Sequence, residues 1–186
     1  MINEVVETIK YHITKKMIIR IERKDMFETE SINGFPIMLS NRFLLMTVIN
    51  DFHDEGYAIL NIENIIDAYS NEHDTFYEKI CISEGLQDIS RPKFLSSIYN
   101  YQQIFQSLQN YEGLVSIQCE NQVKRYAFYL GIIKDVKDEN VEFLDIGMDG
   151  EWDNETHIIP YDEITQINFG DNYSKVYYKY CDKSLK

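Results

Sequence analysis

Two short stretches of this 186-residue chain gather side chains that can hold a cation: Asp51, His53, Asp54 and Glu55, and Asp149, Glu151, Asp153 and Glu155. An imidazole with several carboxylates is a donor set for a divalent ion. Adjacent loop residues point in different directions, however, and neither run has the spacing of a calcium-binding EF-hand loop. A solvated hairpin loop is expected in each place, with no metal and no cofactor. Nucleophilic catalysis would need Cys81 or Cys119 beside one of His12, His53, His73 and His157. Both cysteines lie in apolar sequence, and no nucleophile motif surrounds them. The eight glycines are scattered singly, so no phosphate-cradling loop is present. The chain is expected to be non-catalytic.

Two further groups of residues suit binding. Lys10, Lys15, Lys16, Arg20, Arg23 and Lys24 are six of the eight bases in residues 1–90. Within this basic 10–24 segment, Lys15, Lys16, Arg20, Arg23 and Lys24 are the candidates for contacting RNA or a nucleotide. Glu4, Glu7, Glu22 and Asp25 interleave with them, and strand alternation sends Arg20 and Glu22 to one face, where they are expected to pair. The formal net charge of −13 repels a phosphate backbone, so nucleic acid is the disfavoured partner. The second group is aromatic. Trp152, the single tryptophan, lies in a polar loop, and Tyr173, Tyr177 and Tyr180 share a face at helical spacing. Trp152, Tyr177 and Tyr180 are the candidates for holding a protein partner. The competing expectation is that Trp152 folds back over the end of its own domain and that the tyrosines pack inward.

The elements that must position these groups follow from periodicity. A short helix is expected over residues 3–12, with Val5, Val6 and Ile9 on one side. Ile19 and Ile21 alternate with Arg20 and Glu22 as in a half-buried strand. A second strand starts near Ser31 and bends at Gly34, with Pro36 making its surroundings irregular. Further strands are expected at Phe43–Ile49, Tyr57–Leu60 and Ile65–Tyr69, with residues 50–56 as a polar loop. A helix with Asp74 or Thr75 as its cap then carries Phe76, Tyr77, Ile80 and Cys81 and ends at Gly85. Phe94, Ile98, Tyr101, Phe105 and Leu108 predict an amphipathic helix from Ser90 to Asn110. Strands follow at Leu114–Glu120, Tyr126–Val136 across Gly131, Val141–Ile146, His157–Ile159 and Ile164–Phe169. Asp149-Gly150 marks a tight turn.

The order repeats. Ile19-Arg20-Ile21-Glu22 returns as Ile117-Gln118-Cys119-Glu120, Gly34 as Gly131, Asp51 as Asp149, the run from Ile59 to Ile65 as that from Ile158 to Ile164, and Tyr77 as Tyr173, at offsets of 96 to 99 residues. A period near half the chain predicts two similar domains, at 1–89 and 112–186, joined by a linker helix over 90–111. Each domain, with five short strands, a glycine-bent second strand, an acidic loop and a one-turn connection before the last strand, resembles a strongly bent Sm-like (SH3-like) barrel. The whole chain resembles an uncharacterised bacterial family of tandem barrels of this kind. The residues that carry the likeness are 51–57 and 76–86 in the first copy, and 150–153, 159–165 and 169–173 in the second. The fold class expected is mainly β with helices: two tandem five-stranded Sm-like barrels. Where Sm-like RNA binders would place an Arg-Gly pair at the turn into the last strand, the chain has Asn61-Ile62-Glu63-Asn64 and Tyr161-Asp162-Glu163.

Composition agrees. Hydrophobic residues make up 44% and aromatics 13%, which excludes global disorder. Both halves are acidic, which favours solubility. Cys81, Cys119 and Cys181 are odd in number and widely spaced, so buried reduced thiols are expected rather than disulfides or a zinc site. No stretch is long and apolar enough to span a membrane, and the opening residues lack the pattern of a secretory leader. The expectation is a bacterial cytoplasmic interaction or scaffold protein. It would associate with a protein partner or with itself through barrel edges and loops.

Overall fold

A computed structural model describes residues 2–24, 29–87, 90–121 and 125–182. The fold is mainly β, with four α-helices among the described residues, and divides into two compact units, Met1–Arg91 and Pro92–Lys186. The expected limit at residue 89 and the acidic Asp25 lie outside the described residues.

The first unit opens with helix α1 (Ile2–Lys15), which packs on strands β3 (Pro36–Leu39) and β6 (Ile65–Tyr69). Strand β1 (Ile19–Lys24) lies between β2 (Thr29–Gly34) and β6 (Ile65–Tyr69), antiparallel to both. Strands β3 (Pro36–Leu39), β4 (Phe43–Asn50) and β5 (His53–Asn61) pair antiparallel in sequence order. The second strand expected from the sequence is thus broken at Phe35, between Gly34 and Pro36. Proline has no N–H to give to a ladder, and the chain turns there from one set of strands to the other. Gly34 is required at this crossing because a Cβ would sit 1.8 Å from the Thr47 carbonyl oxygen. A core of Ile9, Ile19, Ile21, Leu44, Met46 and Leu60, among others, fills the unit.

A one-turn 3-10 helix (Ile62–Asn64), capped by the Asn61 side chain, precedes β6. Helix α2 (Glu72–Ser83) follows. Its cap is Asn71, not Asp74 or Thr75; Asp74 completes a reciprocal capping box from the third position. Gly85, at φ 76°, ends the helix, with Leu86 N–H bonded to the Cys81 carbonyl and Gly85 N–H to that of Ile82.

The second unit lists its elements in the same order. Helix α3 (Tyr101–Leu108) is followed by β7 (Val115–Asn121), β8 (Arg125–Val136), β9 (Asn140–Asp145) and β10 (His157–Pro160). A 3-10 turn (Tyr161–Glu163), β11 (Gln166–Phe169) and α4 (Asn172–Tyr180) complete it. The strands pair antiparallel in the order β10-β9-β8-β7-β11. Here the second strand is unbroken, and Gly131 allows the same close crossing: its Cβ would lie 2.0 Å from the Leu144 carbonyl oxygen. Among the described residues, no pairing closes either set of strands into a barrel.

Two sequence expectations are corrected. The helix expected from Ser90 to Asn110 is confined to Tyr101–Leu108, within the second unit. Residues 90–100 are not helical. Phe94 instead packs against the rings of Tyr111 and Phe169, at centroid distances of 5.1 and 5.6 Å. Residues 50–56 are likewise not a loop. β4 and β5 are joined by Asp51 and Phe52 alone, both at positive φ (46° and 61°), so His53, Asp54 and Glu55 belong to a strand.

Candidate functional site

In the second unit the chain leaves β9 through Ile146, which pairs with Trp152 in an isolated antiparallel bridge. The residues between them form a tight loop. Gly150 N–H bonds to the Gly147 carbonyl at 2.9 Å, Gly147 N–H bonds to that of Glu151 at 2.8 Å, and Gly150 takes φ 82°. The turn leaves Met148 91% exposed, and Asp149 and Glu151 are exposed beside it.

Helix α4 faces this loop. Asp171 caps it by accepting from the Ser174 N–H at 2.7 Å. From the helix, the Tyr177 hydroxyl donates to the Met148 carbonyl at 3.1 Å. From the loop, the Trp152 indole N–H donates to the Asp182 carbonyl at 2.7 Å. Beneath these ties, Trp152, Tyr177 and Tyr178 pack on buried Leu114, Leu130, Ile132, Leu144, Ile146 and Cys181. A groove of about 510 Å³ lies between loop and helix, with Met148, Val176, Tyr177 and Tyr180 along it and Asp149 and Glu151 on its loop side. The Tyr173 ring lies tilted against that of Tyr177 at a centroid distance of 4.7 Å, and Lys179 lies 5.3 Å from the centre of the Tyr180 ring.

The structure therefore gathers Trp152, Tyr177 and Tyr180 at one place, with different parts. Trp152 is half-buried and closes the end of its unit, Tyr177 bridges helix to loop, and Tyr180 is 77% exposed. Met148 was not singled out by the sequence reading; its position inside Gly147-Met148-Asp149-Gly150, a turn too short to hide a side chain, was the available signal.

The first unit repeats this docking. Tyr77 stands six residues after its helix cap, as Tyr177 does, and its hydroxyl accepts from the Phe52 N–H at 3.3 Å while the two rings stack at 4.6 Å. Cys81 is buried with Ile18, Phe35 and Ile49, as Cys181 is in its own cluster. The structural counterpart of Tyr77 is thus Tyr177, not Tyr173. Burial pushes the Cys81 thiol up, with Glu78 adding to the shift.

The basic candidates are dispersed. Lys15 and Lys16 are exposed at the end of α1, and Lys24 is exposed at the end of β1. Arg20 does not pair with Glu22. Its guanidinium binds Asp74 at 2.7 Å, which raises its pKa, and Glu22 accepts from the Tyr69 hydroxyl at 2.9 Å. Arg23 is fully buried, on the same face of β1 as Ile19 and Ile21. The alternation that marked the strand already pointed it inward.

Of the acidic runs, only Asp153 enters a compact cluster. Asp145, Asp153 and His157 each offer a ligand atom within 4.8 Å of the others. His157 Nε2 and Asp153 Oδ2 bond each other at 2.7 Å, and Asp145 accepts from the Leu130 N–H at 2.6 Å. Burial raises the Asp145 pKa; the Leu130 bond opposes the shift and Asp153 adds to it. All three cysteines are buried and free of disulfides. The hydrogen bonds of His12, His53 and His157 go to Thr8 and Ser70, to Asp51 and to Asp153. No described helix is long and apolar enough to cross a membrane. Comparison with family models, curated proteins and solved structures finds no significant match to this chain.

Proposed function

We propose that this chain is a non-catalytic interaction or scaffold protein of the bacterial cytoplasm, built from two Sm-like units and kin to the tandem-barrel family it resembles. The observation that carries this reading is the groove beside α4. Its exposed residues are apolar and aromatic with an acidic border, a composition suited to gripping a partner rather than activating a bond. The unit architecture supports the Sm-like assignment: antiparallel strands, a second strand crossing closely at Gly34 or Gly131, and one 3-10 turn before the last strand. Strand edges offer a second means of association. β6 and β10 are each the outermost strand of their sheet, and an outer strand presents backbone groups that another chain can pair with.

Sedimentation over a range of concentrations, together with filter binding of RNA at low and moderate salt, tests the reading. Concentration-dependent association that weakens in Ile66→Lys, a change on the exposed side of β6, supports edge pairing. Retention of RNA with a steep salt slope, lost on neutralising Lys15, Lys16 and Lys24, would instead establish the alternative of an RNA- or nucleotide-binding protein.

A further inference from the structure

We infer that the groove between the Gly147–Glu151 loop and helix α4 receives a short cationic amphipathic segment of a partner protein. An apolar side chain of that segment seats on Met148, Val176 and Tyr180, and a flanking lysine or arginine meets Asp149 and Glu151. The inference rests on the interaction-protein reading and gives the partner its chemistry.

Three arguments lead there. First, Met148, Val176 and Tyr180 are all exposed large side chains on one groove. Covering them removes apolar surface from water without disturbing the unit's own core. Second, the groove is built before any partner arrives. The Tyr177–Met148 and Trp152–Asp182 hydrogen bonds fix helix and loop at two points. The turn bonds of Gly147 and Gly150 fix the loop itself. A preformed site spends little binding energy on ordering. Third, the charge has one sign where the loop meets solvent. Asp149 and Glu151 are exposed there, and on the helix Lys179 lies over the Tyr180 ring. The chain's overall charge of −13 adds attraction for a cationic segment at long range. A volume of about 510 Å³ suits one or two side chains rather than a whole helix, so the recognised unit is a short motif.

Trp152 is the chain's single tryptophan and is bonded to Asp182, which lines the groove, so its fluorescence reports occupancy. The full chain is titrated with three synthetic peptides of equal length: leucine or phenylalanine flanked by lysine and arginine, the same apolar residues flanked by glutamate, and a lysine peptide without apolar residues. The cationic amphipathic peptide is expected to bind, and to bind more weakly as ionic strength rises. Reversing both rim charges with Asp149→Lys and Glu151→Lys should weaken it about tenfold and let the acidic peptide bind in its place. Met148→Ser, at a side chain outside the core, should weaken both. Equal affinity for the three peptides, or binding indifferent to these substitutions, overturns the groove assignment while leaving an interaction protein. Failure of every peptide also overturns it. If sedimentation then shows a strict monomer as well, the interaction reading falls with it. A concentration-dependent dimer abolished by the same substitutions would assign the groove to a second copy of this chain and overturn the peptide partner.

Discussion

Burial and hydrogen bonding set how single side chains of this protein ionise. Tyr161 stacks on Phe105 and Tyr101 at centroid distances of 5.7 and 5.3 Å, and its hydroxyl donates to the Lys137 carbonyl at 2.8 Å. Burial, with Asp138 adding to it, pushes its phenol up to about 12. Because the folded state holds this proton more tightly than the unfolded chain, the stability it confers is complete below pH 10 and is lost as pH rises from 10 towards 12. Difference spectrophotometric titration of wild type against Tyr161→Phe is expected to show a tyrosine ionising near 12, and the variant should be about 1 kcal/mol less stable at neutral pH. Asp145 has the same sign. Its raised carboxyl means that ionisation costs folded-state stability at neutral pH, a cost that vanishes below the ordinary carboxylate range. Asp145→Asn keeps an oxygen for the Leu130 N–H and removes the charge. It should be at least as stable as wild type at pH 7 in urea denaturation, with the difference closing as pH falls through about 4.

At the level of elements, the strands obey local sequence wherever one face is buried. β6 runs over Ile65–Tyr69 as its residues predict, and β4 and β8 agree with their apolar runs to within a residue. The failures have tertiary causes. Phe94 and Ile98 fall at helical spacing with Tyr101, yet Phe94 sits there because two aromatic rings receive it. The Asp51-Phe52 turn lacks the glycine that advertises such a hairpin. Stacking on Tyr77 and a bond to its hydroxyl accompany Phe52 in this left-handed conformation, and neither contact is local in sequence. The close crossings, by contrast, were legible as isolated glycines inside strand text. Gly34→Ala and Gly131→Ala would each drive a Cβ into a backbone oxygen, at 1.8 and 2.0 Å. Each is expected to lower stability by about 3 kcal/mol or more, measured by chemical denaturation.

Across the whole molecule the same solution is used twice. A C-terminal helix in each unit sends a tyrosine hydroxyl to the backbone of a β-hairpin or loop and buries a cysteine below it. Tyr77→Phe and Tyr177→Phe should therefore cost similar amounts, about 1 kcal/mol each by thermal or chemical denaturation. Tyr177→Phe alone should alter Trp152 fluorescence, since only the second helix shares its site with that indole. The candidate site was half legible. The tyrosines could be placed on one helix face by counting, because the helical period is fixed by the backbone. That their face meets the loop bearing Met148 and Trp152 could not, because that loop and helix are separated in sequence by two strands and a 3-10 turn. Alternation and glycine placement thus determined by themselves the succession of strands, the two close crossings and the inward face of β1, since these depend on neighbours one to four residues away. Tertiary structure alone decided that Arg20 is held by Asp74, that Tyr177 rather than Tyr173 matches Tyr77, and that an acidic apolar groove exists. Each of those rests on contacts between elements far apart in the chain, which no local period encodes.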